Sequence, residues 1–421
     1  MKIVLWHGYL LGGTGSNVYT RSLARAFGHL GHEVVVICQD PNPEEFDLAG
    51  ARVVRPNIGP LLPVFVLDDY AGVEARMLGD LTMTERARVV DANAAALRAE
   101  LPADLVLVNH VLLGAAVGAA AGTPYVVKAH GSELEFAMRG NPELCEWARE
   151  SLLSARVVIA GSEHIVSVLR EVLGPGPHLD RVLTVPPGVD VEALRPKPRA
   201  KAMAALVAES RRDAPNPPDD HDPRRPDDGN AERLADFLAD DAPTVLYVGK
   251  LSREKGVHLL LEALRGLEAR AVIVGFGPER KALEQAAEGR VLFTGALEHR
   301  HLAQLWPLAD VSVTPSVFPE AFGMVAAEAA ACGTPPMVAR HSGLAEVAAG
   351  LAEEYPAARR DLLTFAPGDA GDLAVKLRTL LDLPPDERED LGRAARRAAV
   401  RLWSWEGIAA RLLAAGATAS G

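Results

Sequence analysis

The chain has 421 residues, 48% of them hydrophobic, and a formal net charge of −12. That length implies two or three domains with ample core, and the acidic balance speaks against general nucleic-acid binding and gives no basic patch for anionic lipid. Three cysteines, Cys38, Cys145 and Cys332, are odd in number and far apart, which supports neither a disulfide framework nor a zinc cluster and fits a reducing cytoplasm.

Met1-Lys2 leads directly into Ile3-Val4-Leu5-Trp6. This apolar stretch is too short for a signal peptide, and no later run reaches the roughly 20 residues of a spanning helix. A strand over Lys2–His7 runs through the loop His7-Gly8-Tyr9-Leu10-Leu11-Gly12-Gly13-Thr14-Gly15-Ser16-Asn17 into a helix near Asn17–Leu30. Gly12 and Gly13 let backbone amides close on an anion at a helix N-terminus, although the loop lacks the third glycine of a dinucleotide fingerprint and the Lys-Ser/Thr of a P-loop.

Further strands are predicted over Glu33–Cys38, Asp104–Asn109, Tyr125–His130 and Arg156–Ala160, with helical patterns between them. Continuous apolar strands in such alternation mark a buried parallel sheet. His130, in Lys128-Ala129-His130-Gly131-Ser132-Glu133, ends its strand at the carboxyl edge, where open α/β sheets bind ligands. It can bond a ligand hydroxyl or be a structural histidine in a capping turn, and Glu133 can take a second hydroxyl. Pro186-Pro187-Gly188-Val189-Asp190 reads as a turn and hinge signal.

The stretch 205–240 is expected to be a disordered Pro/Asp-rich insertion, because residues 213 to 241 hold ten acids against three arginines, without apolar periodicity. Its Asp220-His221-Asp222 has the outline of a D-x-D metal motif, but a divalent ion needs a rigid ligand pair, and no metal site is expected.

A second strand series is predicted over Thr244–Gly249, Ala271–Gly275, Val291–Thr294, Val311–Thr314 and Pro336–Ala339. After its first strand, Gly249-Lys250-Leu251-Ser252-Arg253-Glu254-Lys255-Gly256 carries two lysines five residues apart, able to grip one diphosphate. Gly275-Phe276-Gly277-Pro278 and Thr294-Gly295-Ala296-Leu297 follow the next two strands. The densest signal is Pro315 to Glu328: Glu320 lies on the loop after a strand, and Glu328 in an Ala-rich helix from about Phe322 to Ala331. At roughly 1.5 Å per residue the two acids stand about 8 Å apart along the helix axis. Between them the amides of Phe322, Gly323 and Met324 are expected in the first helical turn, suited to a phosphate or sugar hydroxyl.

These segments, taken together, resemble the retaining GT-B glycosyltransferases of family 4, the glycosyl transferases group 1. The likeness rests on the E-x7-E pair Glu320 and Glu328 with its Cys332-Gly333-Thr334-Pro335 exit, and on the G-R-L-x-x-x-K-G pattern, in which Lys250 stands where arginine is usual and Arg253 lies close by. It also rests on the G-x-G-P turn, on a P-N-G-V-D-like hinge with Pro187 in place of asparagine, and on the Trp405-Glu406 start of a terminal helix.

The resemblance implies an α/β fold of the GT-B type, with two Rossmann-like doubly wound domains facing each other across a cleft. Residues 1–187 would bind the acceptor, with helix 401–421 packing back on them, and 188–400 would bind the nucleotide sugar. It further implies transfer of a hexose from a nucleotide-diphosphate sugar, UDP ahead of GDP, to a hydroxyl of a small molecule, glycan or lipid, with retention of configuration and with neither metal nor cofactor. The catalytic set it points to is His130, Glu320 and Lys255. The donor-binding set is Gly12, Gly13, Lys250, Arg253, Lys255, Gly275, Leu297, Glu320, Phe322, Gly323, Met324 and Glu328. The protein would be cytoplasmic, or peripheral to a membrane with a lipid acceptor. Three rivals stay open: a glycoside hydrolase using the two glutamates, which leaves the cationic loop unexplained, an epimerase-type protein, and an interaction module without activity.

Overall fold

The computed structural model describes residues 1–13, 15–65, 74–217, 219 and 221–418. The chain forms two compact units, Met1–Gly188 with Trp405–Gly421, and Val189–Ser404.

The first unit carries β1 (Lys2–Trp6), β2 (Glu33–Ile37), β3 (Arg52–Val54), β4 (Leu61–Val64), β5 (Glu74–Met77), β6 (Leu105–Asn109), β7 (Tyr125–Lys128), β8 (Ala155–Ala160) and β9 (Val182–Thr184). Seven of these make one sheet in the order β3-β2-β1-β6-β7-β8-β9, while β4 and β5 pair separately. Ile3 of β1 faces Val34 on one side and Leu105 on the other, both in parallel register. Residues Ile3 to Trp6 are fully buried, as an unbroken apolar strand covered on both faces by helices must be.

The second unit contains β10 (Thr244–Val248), β11 (Arg270–Val274), β12 (Arg290–Phe293), β13 (Val311–Thr314), β14 (Pro336–Ala339) and β15 (Thr364–Phe365). Its sheet order is β12-β11-β10-β13-β14-β15. In each unit the order reverses beside the first strand, between β1 and β6 and between β10 and β13. The loops leaving the carboxyl ends of those strands border the crevice in which doubly wound sheets hold ligands.

Two expectations need correction. The return to the first unit begins at Trp405 rather than 401, because the helix Pro385–Trp403 continues through that point. The stretch 205–240 is structured over its described residues. It includes the end of the helix Arg199–Ser210 and the helix Asn230–Phe237, with Leu206, Leu234 and Leu238 buried in the core. Between these helices Asn216, itself buried, bonds the carbonyls of Asp222 and Pro226 (3.0 and 2.9 Å). Three acids of the segment are paired with cations outside it: Asp213 with Arg300, Asp227 with Arg280, and Asp240 with Arg270 and Arg290. The segment's own charge balance omits those partners. Asp220 lies outside the described residues, and Asp222 accepts the Arg224 N–H (2.9 Å). No helix among the described residues is long and apolar enough to cross a membrane.

Candidate functional site

Each unit brings polar groups to the carboxyl edge of its own sheet, beside the point where the strand order reverses. In the second unit the loop from Pro315 to Gly323 follows β13, and the turn Arg253–Lys255 follows β10. Lys255 Nζ lies 2.5 Å from Glu320 Oε1, with the two side chains 35% and 21% exposed, so the pair joins two loops and still faces solvent. The Glu254 carbonyl accepts the Val317 N–H (2.8 Å). The Glu254 carboxyl is held below the usual range, first by hydrogen bonds from Ser252 and its own backbone and then by the charges of Lys250 and Lys255. Both lysines therefore surround one turn, with Lys250 and Arg253 exposed.

Glu320 is fixed from behind by residues that sequence reasoning missed. Its N–H donates to Ser342 Oγ (2.9 Å), and its carbonyl accepts the Gly343 N–H (3.0 Å). Ser342 Oγ hydrogen-bonds His341 Nδ1 (3.0 Å), and His341 Nε2–H donates to the Ser316 carbonyl (2.7 Å). Ser342 adopts φ +47°, a backbone state that a non-glycine residue keeps only where its surroundings enforce it.

The helix after this loop spans Met324–Ala331, with Gly323 at φ +114° as its cap. Of the three amides expected in the first turn, only that of Met324 is there. Phe322 precedes the helix because its ring is buried edge-on against Trp403, 5.8 Å between centroids. Glu328, one turn further in, is 12% exposed at its side chain and bonds His299 Nε2 (3.2 Å). Gly275 donates its N–H to the Gly295 carbonyl (2.9 Å), and the Leu251 N–H donates to Phe276 O (2.7 Å). The loops after β10, β11 and β12 are thus tied in series, and Leu297 lies at the far end, packed against the core.

In the first unit, Asn17 Oδ1 accepts from His7 Nε2 (2.8 Å), and the Asn17 amide donates to the Gly12 carbonyl. Gly13 has φ +87°; Thr14 lies outside the described residues. His130 Nε2 donates to Asn109 Oδ1 (2.9 Å), which leaves Nδ1 as the acceptor nitrogen of a neutral ring. Burial first, then the neighbouring His110, Lys128 and His7, hold its pKa well below 6.5. His7 is lowered to about 3, again by burial and then by His110.

Glu133 does not reach out to a ligand hydroxyl. It is fully buried, and its carboxylate accepts the N–H groups of Val111, Leu112 and His130 (3.0, 3.1 and 3.1 Å). His110, 4.7 Å from the His130 ring between centroids, is 1% exposed with φ +74°. Among the described residues neither of its ring nitrogens has a hydrogen-bond partner. His7, His110 and His341 all fall within two residues of a parallel strand's carboxyl end, the positional signal that had singled out His130. Among the described residues no group of three or more His, Cys, Asp or Glu is arranged to hold a metal ion.

Comparison with known proteins agrees with this layout. The family model described as "Glycosyl transferase 4-like domain" matches residues 14–188, and "Glycosyl transferases group 1" matches 231–398. The chain is 29% identical over 423 residues to D-inositol 3-phosphate glycosyltransferase of Xylanimonas cellulosilytica, covering 95% of this chain and 90% of that protein. Sucrose-phosphate synthase from Thermosynechococcus elongatus has the same fold, with a TM-score of 0.67 at 23% identity and the whole of both chains covered. Anabaena Alr3699/HepE in complex with UDP superimposes with a TM-score of 0.68 at 19% identity, covering 99% of this chain and 100% of that one. With two glycosyltransferase models spanning both units and a relative aligned over nearly its full length, the chain belongs to the group 1, family 4-like glycosyltransferases and has their GT-B fold.

Proposed function

We propose that this glycosyltransferase moves a hexose from a nucleotide-diphosphate sugar, UDP ahead of GDP, to a hydroxyl acceptor with retention of configuration and without a metal ion. The observation that carries this reading is the Lys255–Glu320 pair at the carboxyl edge of β10 and β13, with Lys250 and Arg253 on the same turn. The diphosphate gains negative charge as the glycosidic bond breaks, and fixed cations favour that transition state over the ground state. Glu320 takes hydroxyls of the transferred sugar, Glu328 the ribose hydroxyls, and the Met324 amide at the helix start a phosphate or sugar oxygen. His130, neutral with an acceptor nitrogen, bonds a hydroxyl of the reacting sugar or acceptor. The departing phosphate accepts the acceptor's proton in a front-face transfer, so no protein nucleophile is needed.

UDP in the complex of the Anabaena neighbour supports the donor class, and because the nearly full-length relative is named a D-inositol 3-phosphate glycosyltransferase, a cyclitol phosphate is the first acceptor to try. Calorimetric titration of UDP and GDP, without metal, into wild type and Glu328→Ala tests the reading. Binding of one nucleotide that weakens in the variant is expected; binding of neither would overturn the proposal.

A further inference from the structure

We infer that Asp227, carried by the segment between the helices Arg199–Ser210 and Asn230–Phe237, is a positioning residue for recognition of the nucleotide base; this rests on the nucleotide-sugar reading above. Asp227 presents both carboxylate oxygens to Arg280, whose NH1 and NH2 donate at 2.8 and 2.6 Å. Its side chain is only 11% exposed, and Arg233 adds a third contact at 3.4 Å. Arg280 opens the helix that follows the Gly275–Glu279 loop of β11.

The backbone of the same segment lies along the next loop. The Asp227 N–H donates to the Thr294 carbonyl (2.8 Å), the Ala296 N–H donates to the Arg225 carbonyl (3.2 Å), and Pro226 forms an antiparallel bridge with Gly295. The Asn230 amide also donates to Thr294 O (2.8 Å). A Cβ at Gly295, where φ is +71°, would stand 2.6 Å from Asp227 Oδ1 and 2.7 Å from the Arg225 carbonyl. One short segment thus clamps the loops after β11 and β12 together.

Position along the sheet gives this clamp its role. Lys255 and Glu320 mark the phosphate and sugar end, and Glu328 the ribose. Glu328 touches His299, the first residue of the helix that follows the Thr294–Glu298 loop. A base attached to a ribose on Glu328 therefore meets the loop that Asp227 holds, and the path through Gly295 sets the direction in which the Leu297 backbone is presented. An exposed ion pair contributes little, but a bidentate Arg–carboxylate contact mostly out of water fixes geometry as well as energy.

The test is calorimetric titration of UDP, GDP and inorganic pyrophosphate into wild type, Asp227→Asn, Asp227→Ala and Arg280→Ala, with unfolding midpoints measured alongside. Loss of one charged hydrogen-bonded contact corresponds to about a tenfold change. The expected result is a roughly tenfold weaker preferred nucleotide and a narrowed UDP/GDP ratio, with pyrophosphate affinity unchanged and the Asp227→Ala/Arg280→Ala double variant no worse than either single one. Equal weakening of all three ligands, or an unchanged ratio, would overturn the inference alone. A wild type that binds neither nucleotide would overturn the donor reading and this inference with it.

Discussion

Lys255 holds the Glu320 carboxylate, and in the proposed reaction it also faces the diphosphate that develops charge during transfer. Removing the cation takes this partner from Glu320 and, in the proposed reaction, leaves the departing diphosphate unstabilised. Lys255→Ala should therefore lower kcat/KM about 100-fold, the loss typical of one preorganised charge contact, while Lys255→Arg keeps part of it; initial rates with a UDP-sugar decide this. Lys128 is a different kind of cation. It is buried, its Nζ donates to the Val185 carbonyl (3.0 Å), and it lies over the Tyr19 ring. Burial first, then the charge of Arg411, lowers its pKa from 10.5 to about 7. Between those values the unfolded chain holds a proton that the folded protein lacks, so this residue makes stability rise with pH from about 7 toward 10.5. Denaturant unfolding at pH 7 and 9 should show that rise in wild type and lose it in Lys128→Met; equal slopes would refute the assignment.

At the scale of elements, the Arg253–Lys255 turn depends on one residue behind it. Gly256 has φ +69°, and a Cβ there would stand 1.9 Å from the Pro315 carbonyl at the end of β13. Gly256→Ala should push the turn off the acid loop, destabilise the protein by about 1–3 kcal/mol and weaken UDP binding well beyond what the stability loss explains, as calorimetry on the fraction still folded would show. What the sequence made legible here was local. Continuous apolar strands, their alternation with helices, the two lysines and the Glu320–Glu328 spacing are all written within a few residues, and the structure puts strands within one or two residues of the expected places. What stayed hidden depends on distant partners. Phe322 leaves the helix because of Trp403, Glu133 turns inward because of the amides of Val111 and Leu112, and Asp213, Asp227 and Asp240 find arginines up to 87 residues away. His341 and Ser342 buttress Glu320 through bonds that no local pattern announces.

For the molecule as a whole, the first unit is incomplete without the last helix of the chain. Trp405 is 5% exposed, meets Tyr19 edge-on at 5.4 Å, and lies so close to Gly188 that a Cβ there would stand 2.4 Å from its ring. Ile408, Ala409 and Leu412 of the same helix are fully buried in the core of that unit, and a Cβ at Gly416 would meet Leu105 of β6 at 2.8 Å. The unit therefore buries an apolar face only after more than 200 intervening residues have been made, an ordering burden characteristic of long-range contacts. Trp405→Ala should destabilise it by about 3–5 kcal/mol, and Gly188→Ala, by overpacking the same contact, by about 1–3 kcal/mol. Hydrogen exchange read separately over the helix Gly15–His29 and over β10 to β13 distinguishes the outcomes. Faster exchange confined to the first unit in both variants fits a helix that is structurally part of it, whereas equal acceleration in both units, or none, would contradict this. A fragment of residues 1–188 should fail to protect β1 and β6 from exchange, and the same fragment fused through a flexible linker to residues 405–421 should regain that protection.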